Sequence, residues 1–250
     1  MPAPFPRRQL RDAAPLLLSA ELRDRAARAA AALPFDLPAR FVAFDVRRNP
    51  AALAPAIDWL LTQGYSIVRI GHTEDAMPGR GVLDVPSSGI EVDLLQRFIV
   101  EKARFVVCDS GERQHTASRI NTPTLRLNAR DPFSAYPVRG NGLFTLGAAV
   151  DLDSGRVLSP RELLSESYLR HGRHFALRPN RPAQVLAAVK EMHEGVTAGW
   201  REDADQMRVR ELVTDAGLLL VSRIPLVAEW GPDDGFIGDG RLARWQAGEL

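Results

Sequence analysis

The stretch VVCDSGERQHTAS, Val106–Ser118, changes character halfway along. Val106, Val107 and Cys108 suit a buried strand, and GERQHTASRI suits a short helix. The turn between them is Asp109-Ser110-Gly111. It has two readings. Asp109 and Ser110 can cap the helix, as their short polar side chains do in many proteins. Alternatively, the free N–H groups and positive dipole end of the helix hold an anion, with Ser110 adding a hydroxyl. Gly111 would then let the backbone turn tightly and a ligand come close. The motif alone leaves both open.

The same alternation extends in both directions. Upstream, EVDLLQRFIVEKA places Val92, Leu94, Leu95, Phe98 and Ile99 at helical spacing. Before it come the strands FVAFDVR (41–47), YSIVRIG (65–71) and VLDV (82–85), with the helix AALAPAIDWLLTQG, closed by Gly64, between the first two. Downstream, TPTLRLNA reads as a further strand. Strands that are apolar throughout, separated by helices, predict an α/β fold: a Rossmann-like parallel sheet with helices on both faces.

The flanks are less regular. Residues 1–37 read as an N-terminal helical arm, with Ser19 as N-cap of an alanine-rich helix. Residues 38–200 form the Rossmann-like domain, and 201–250 a helical or irregular tail packing on it. From about residue 129 the pattern loosens. ARDPFSAYPVRGNG reads as a long polar loop, SPRELL as a capping box of Ser159 and Glu162, and RPAQVLAAVKEMHEGV as a helix with Pro182 near its start.

Composition removes several function classes. There are 32 Lys and Arg against 31 Asp and Glu, a net charge of +1, so no global basic field argues for nucleic acid. Lys102 and Lys190 are the only lysines, so the positive charge is nearly all guanidinium. The single cysteine, Cys108, excludes an internal disulfide and reads as a buried inert thiol. No apolar run reaches the ~18 residues of a membrane span, and the expected location is the cytoplasm. The histidines show no metal-ligand spacing, and His171 and His174 read as a solvated helix end. PGRGVLD (78–84) lacks the ending of a P-loop, no G-x-G-x-x-G follows a strand, and SSG (87–89) is not a nucleophile elbow. The four tryptophans, Trp59, Trp200, Trp230 and Trp245, read as packing residues. No cofactor, metal ligand or catalytic residue is assigned.

In open α/β sheets the ligand lies beyond the carboxyl ends of the strands. Those ends carry Arg47, Arg69, Gly71, His72, Ser110 and Gly111, a set suited to an anionic ligand.

FVAFDVR, YSIVRIGH, VLDVPSS and RFVVCDSG, in this order and spacing, resemble a poorly characterised family of bacterial glycosyltransferases of GT-B-type architecture. YPVRGNGLFTLGAAVDLDSGRVLSPRELL and the tail GFIGDGRLARWQAGEL are similar to its later segments. Cys108-Asp109 replaces a small-residue pair of that family, and Gly147-Ala148 stands where a lysine is expected. The resemblance covers roughly residues 38–195 and the tail. It implies the C-terminal, donor-binding half of such an enzyme, in which the phosphates of a nucleotide-sugar meet Arg47, Arg69, Gly71, Ser110 and Gly111. It implies metal-independent transfer in surface polysaccharide or glycoconjugate synthesis. The alternative is a non-catalytic nucleotide- or sugar-binding subunit. A GT-B site lies between two domains, so a homodimer or a partner chain would complete the cleft.

Overall fold

The computed structural model describes residues 13–71, 81–85, 91–171, 174–229 and 240–247. His72, residues 78–80 of the glycine-rich loop, the SSG at 87–89, Trp230 and residues 235–239 of the tail lie outside them. The elements in chain order begin with helix α1 (Ala20–Ala31), strand β1 (Phe41–Asp45), helix α2 (Ala54–Thr62), β2 (Ser66–Arg69) and β3 (Val82–Asp84). Then come α3 (Val92–Lys102), β4 (Val106–Cys108), α4 (Gly111–Ile120), β5 (Thr124–Ala129), α5 (Pro132–Ala135) and β6 (Gly142–Leu146). The rest are β7 (Ala148–Asp151), α6 (Pro160–Leu163), α7 (Glu166–Arg170), β8 (Phe175–Arg178), α8 (Pro182–Ala198), α9 (Ala204–Leu220), α10 (Pro225–Glu229), β9 (Arg241–Leu242) and α11 (Arg244–Ala247).

Seven strands form one sheet in the order β3-β2-β1-β4-β5-β6-β9, and every pairing is parallel. This is the Rossmann-like α/β arrangement expected from the alternation. Side-chain direction alternates along each strand. Val42, Phe44 and Ile67 point to one face, under α2 and α8. Phe41, Ala43, Val68, Val106 and Cys108 point to the other, under α3 and α4. Because both faces are covered, β1 is buried at all five positions. A fully buried Phe or Val contributes about 1.5–3 kcal/mol.

Local signals were reliable where they were self-contained. Ser19 accepts from the Leu22 N–H, Ser159 and Glu162 form a reciprocal capping box, and Pro182 occupies the first turn of α8. Gly64 follows α2 with a φ of 75°. Cys108 is fully buried, and burial pushes its thiol up to about 12, so it remains protonated at neutral pH.

The reading of 129–142 as a polar loop is corrected. Phe133 and Tyr136 are fully buried, α5 lies within this stretch, and β6 follows as a further strand of the main sheet. The apolar side chains are spaced singly among Pro, Ser and Gly, so no periodicity marks them. The tail is not only helical or irregular, because β9 lies in it and adds the seventh strand to the main sheet. Before it, within the 38–200 stretch, β7 and β8 form a separate antiparallel pair.

A buried polar cluster fixes the far end of the sheet. Asn128 breaks the β5 register with a φ of 54°. Its N–H donates to Asn180 Oδ1 at 2.9 Å, and the Asn180 N–H donates to Asn128 Oδ1 at 2.6 Å. Asn180 Nδ2 donates to the Leu146 carbonyl at 2.7 Å. These bonds tie the start of α8 to the ends of β5 and β6.

Candidate functional site

The chain leaves β1 toward β2 and β3 on one side, then crosses to β4 and β5 on the other. The strand order therefore reverses between β1 and β4, and the crevice beyond their carboxyl ends is where ligands of such sheets bind. Asp45 and Cys108 are register partners at this level. Arg47 lies two residues beyond Asp45, and Ser110 two beyond Cys108.

Asp45 has the parity of Ala43, so its carboxylate points toward α3 and α4. It is 1% exposed. Arg113 Nε, on the first turn of α4, donates to Asp45 Oδ2 at 2.7 Å, and Arg113 Nη2 donates to Gln96 Oε1 on α3 at 2.7 Å. One guanidinium thus locks β1, α3 and α4 together. Asp45 Oδ1 accepts no hydrogen bond among the described residues, and Arg47 Nε lies 3.8 Å from it. Gly71 passes directly over this carboxylate. A Cβ on Gly71 would lie 2.3 Å from Asp45 Oδ1, and its φ of 95° already favours glycine.

The turn Asp109-Ser110-Gly111 divides its work. Ser110 caps α4, its Oγ accepting from the Arg113 N–H at 3.3 Å. Asp109 is not a cap. Its Oδ2 accepts from the backbone N–H groups of Arg47 and Arg48, at 3.0 and 2.7 Å, stitching the end of β4 to the loop after β1. Burial pushes the Asp109 carboxyl above its ordinary range, and the two amide bonds pull it partly back. Gly111 is not held by a positive φ, and the nearest described atoms to a Cβ there belong to the Arg126 guanidinium, at 3.8 Å, an ordinary contact. No described side chain requires glycine at this position.

Beside the turn lies a cleft of about 350 Å³. Arg47, Arg97, Arg113, Arg119 and Ser110 line it, with Asp93 and Glu112 among the acids. Of the positions expected from the sequence, Arg47 and Ser110 face this cleft, Gly71 covers Asp45, and Gly111 starts the adjoining helix. Arg69 is placed differently. It has the parity of Ile67, which puts its side chain on the opposite face of the sheet, where its Nε bonds Asp84 Oδ1, its register partner on β3. His72 lies outside the described residues.

Sequence reasoning missed Arg113, Gln96, Arg97 and Arg119. One signal was available for Gln96. It stands among Leu95, Phe98 and Ile99 on the inward side of α3, and it is 3% exposed. A buried amide on an apolar face must find a partner.

No protein-family model and no curated protein matches the chain. Among solved structures, a UDP-GlcNAc 2-epimerase from Methanocaldococcus jannaschii is similar at a TM-score of 0.38 and 11% identity. The similarity covers 72% of this chain and 50% of that one, so the chain spans about half the length of that protein.

Proposed function

We propose that the cleft beyond β1 and β4 binds the diphosphate of a nucleotide-activated sugar, as the donor-holding half of a glycosyltransferase-like protein would. The observation that carries this reading is the convergence of Arg47, Arg97, Arg113 and Arg119, from the β1 loop and two helices, on one cleft at the reversal of strand order. Guanidinium groups match phosphate in planar, two-pronged geometry. The ordered resemblance of FVAFDVR, YSIVRIGH and RFVVCDSG to a glycosyltransferase family points to the same ligand. In transfer, arginines at fixed positions would stabilise the charge that develops on the departing diphosphate. Arg69 does not take part in this reading and acts as a structural partner of Asp84.

Thermal shift against UDP, GDP, CMP and dTDP tests the reading. A nucleotide at about 100 times its dissociation constant stabilises the native state by roughly 2.7 kcal/mol. One of the four is expected to raise the melting temperature, and no response to any of them would overturn the proposal.

A second reading, a binding subunit without transfer activity, has a specific observation in its favour. The two carboxylates at the ends of β1 and β4 are both engaged: Asp45 with Arg113, and Asp109 with the amides of Arg47 and Arg48. Neither is placed to take a proton from an acceptor. Release of nucleotide from a nucleotide-sugar, with and without acceptor alcohols, separates the two readings. Binding without release supports the subunit.

A further inference from the structure

The opposite edge of the sheet carries a second concave site. A cavity of about 470 Å³ opens at the amino ends of β1 and β4, beside the end of α8. Arg40, Lys102, Arg104 and Trp200 line it, and its lining includes no acidic residue among the described residues. None of the three cations has a carboxylate partner among the described residues. The Arg40 guanidinium lies over the Tyr65 ring at 4.2 Å, the Lys102 ammonium lies 5.7 Å from the Phe98 ring, and Arg104 Nη2 donates to the Val196 carbonyl. These contacts orient the cations without neutralising them. The contrast is with Arg23, Arg69, Arg113, Arg156, Arg170, Arg210 and Arg244, each of which is ion-paired.

Helix ends account for part of this charge. In a parallel sheet the helices run back, so their C-termini gather at the amino edge. Each carries the equivalent of about half a negative charge. The ends of α2, α3, α4 and α8 therefore supply about −2 against three cations, and an excess of about one positive charge remains. The same field acts on a neighbour: burial, then Arg40 and Arg104, hold the His193 imidazole below its ordinary pKa.

We propose that this amino-edge cavity binds a small phosphate-bearing solute with two or more negative charges. Two guanidinium forks and one ammonium converge on it, and its volume lies in the range of small-ligand sites, about 300–1,000 Å³. Its concavity selects a small solute over a flat anionic surface. The site is independent of the carboxyl-edge reading. Arg40 and Arg47 flank β1 at its two ends, seven residues apart, up to about 23 Å at 3.3 Å per residue. That exceeds two Debye lengths of about 8 Å at physiological salt.

The test is calorimetric titration of inorganic pyrophosphate into the wild-type chain, Lys102→Gln, the double variant Arg40→Ala/Lys102→Ala, and Arg47→Ala, with melting temperatures measured in parallel. Charge-assisted contacts are worth roughly tenfold each or more. Lys102→Gln is expected to weaken binding about tenfold at an unchanged melting temperature, the double variant about a hundredfold, and Arg47→Ala is expected to retain the amino-edge binding event. Pyrophosphate affinity equal to wild type in Lys102→Gln and the double variant would overturn the inference. If the melting temperature also fell, the cations would serve only the helix ends. Absence of any binding to the wild-type chain would overturn it equally. Loss of nucleotide binding at the carboxyl edge alone would leave it standing.

Discussion

The ends of β1 and β2 look alike in sequence, a short apolar strand followed by arginine, yet the fold uses them in different ways. At the end of β1, Arg47 is half exposed and faces the cleft, beside a buried Asp45 already held by Arg113. At the end of β2, Arg69 turns to the other face and pairs with Asp84 on the outermost described strand. The difference lies in what stands next to each strand. β1 borders β4, where the chain reverses its order and a crevice opens. β2 borders β3, and its arginine meets a cross-strand acid. A strand-end arginine in this sheet is thus a candidate ligand group where the strand order reverses beside it, and a cross-strand partner where it does not.

The largest effect is expected where the buried network is cut. Arg113→Ala removes the hydrogen-bonded partner of Asp45 and leaves a carboxylate that is 1% exposed with the more distant Arg47 as its remaining ion-pair partner among the described residues. Breaking a buried pair on one side costs about 3–5 kcal/mol. Denaturant unfolding of the variant measures this, and a loss below about 1 kcal/mol would show that the network does not organise the β1 end. Gly71→Ala comes next. Its Cβ would overlap Asp45 Oδ1 at a backbone angle that already disfavours alanine, and overpacking alone costs about 1–3 kcal/mol. An unchanged unfolding midpoint would mean that the loop simply lifts off the carboxylate.

The smallest effect is expected at Arg69. Its partner Asp84 has a side chain 52% exposed, and exposed pairs contribute about 0–1 kcal/mol. Arg69→Ala should melt close to wild type. A large loss would mean that the β2–β3 edge depends on this pair, and the contrast with Arg113 would fall.

The first half of the sheet was legible because its strands are unbroken apolar runs with helices of clear periodicity between them. Local devices were legible for the same reason: Ser159 and Glu162 lie within one turn and need no partner elsewhere. β6 was not, because GLFTL sits between a proline-rich stretch and Gly147, whose missing side chain makes room for Leu177. β9 was not, because it has two residues. The Asn128–Asn180 clamp joins positions 52 residues apart, which no local pattern encodes. At the candidate site, the sequence located the edge and the turn. It did not resolve which face each side chain takes, so Arg69 and Arg47 read as equivalent, and Arg113 stayed hidden inside the helix it anchors.

The central claim is that the β1 end, and not the β2 end, is the ligand-facing one. Calorimetric titration of the most stabilising nucleoside diphosphate into wild type, Arg47→Ala and Arg69→Ala tests it most directly. A charge-assisted contact is worth about 1.5–3 kcal/mol, so Arg47→Ala should lose ten- to a hundredfold in affinity, while Arg69→Ala binds as wild type. Loss of affinity in Arg69→Ala with Arg47→Ala unaffected would contradict the account.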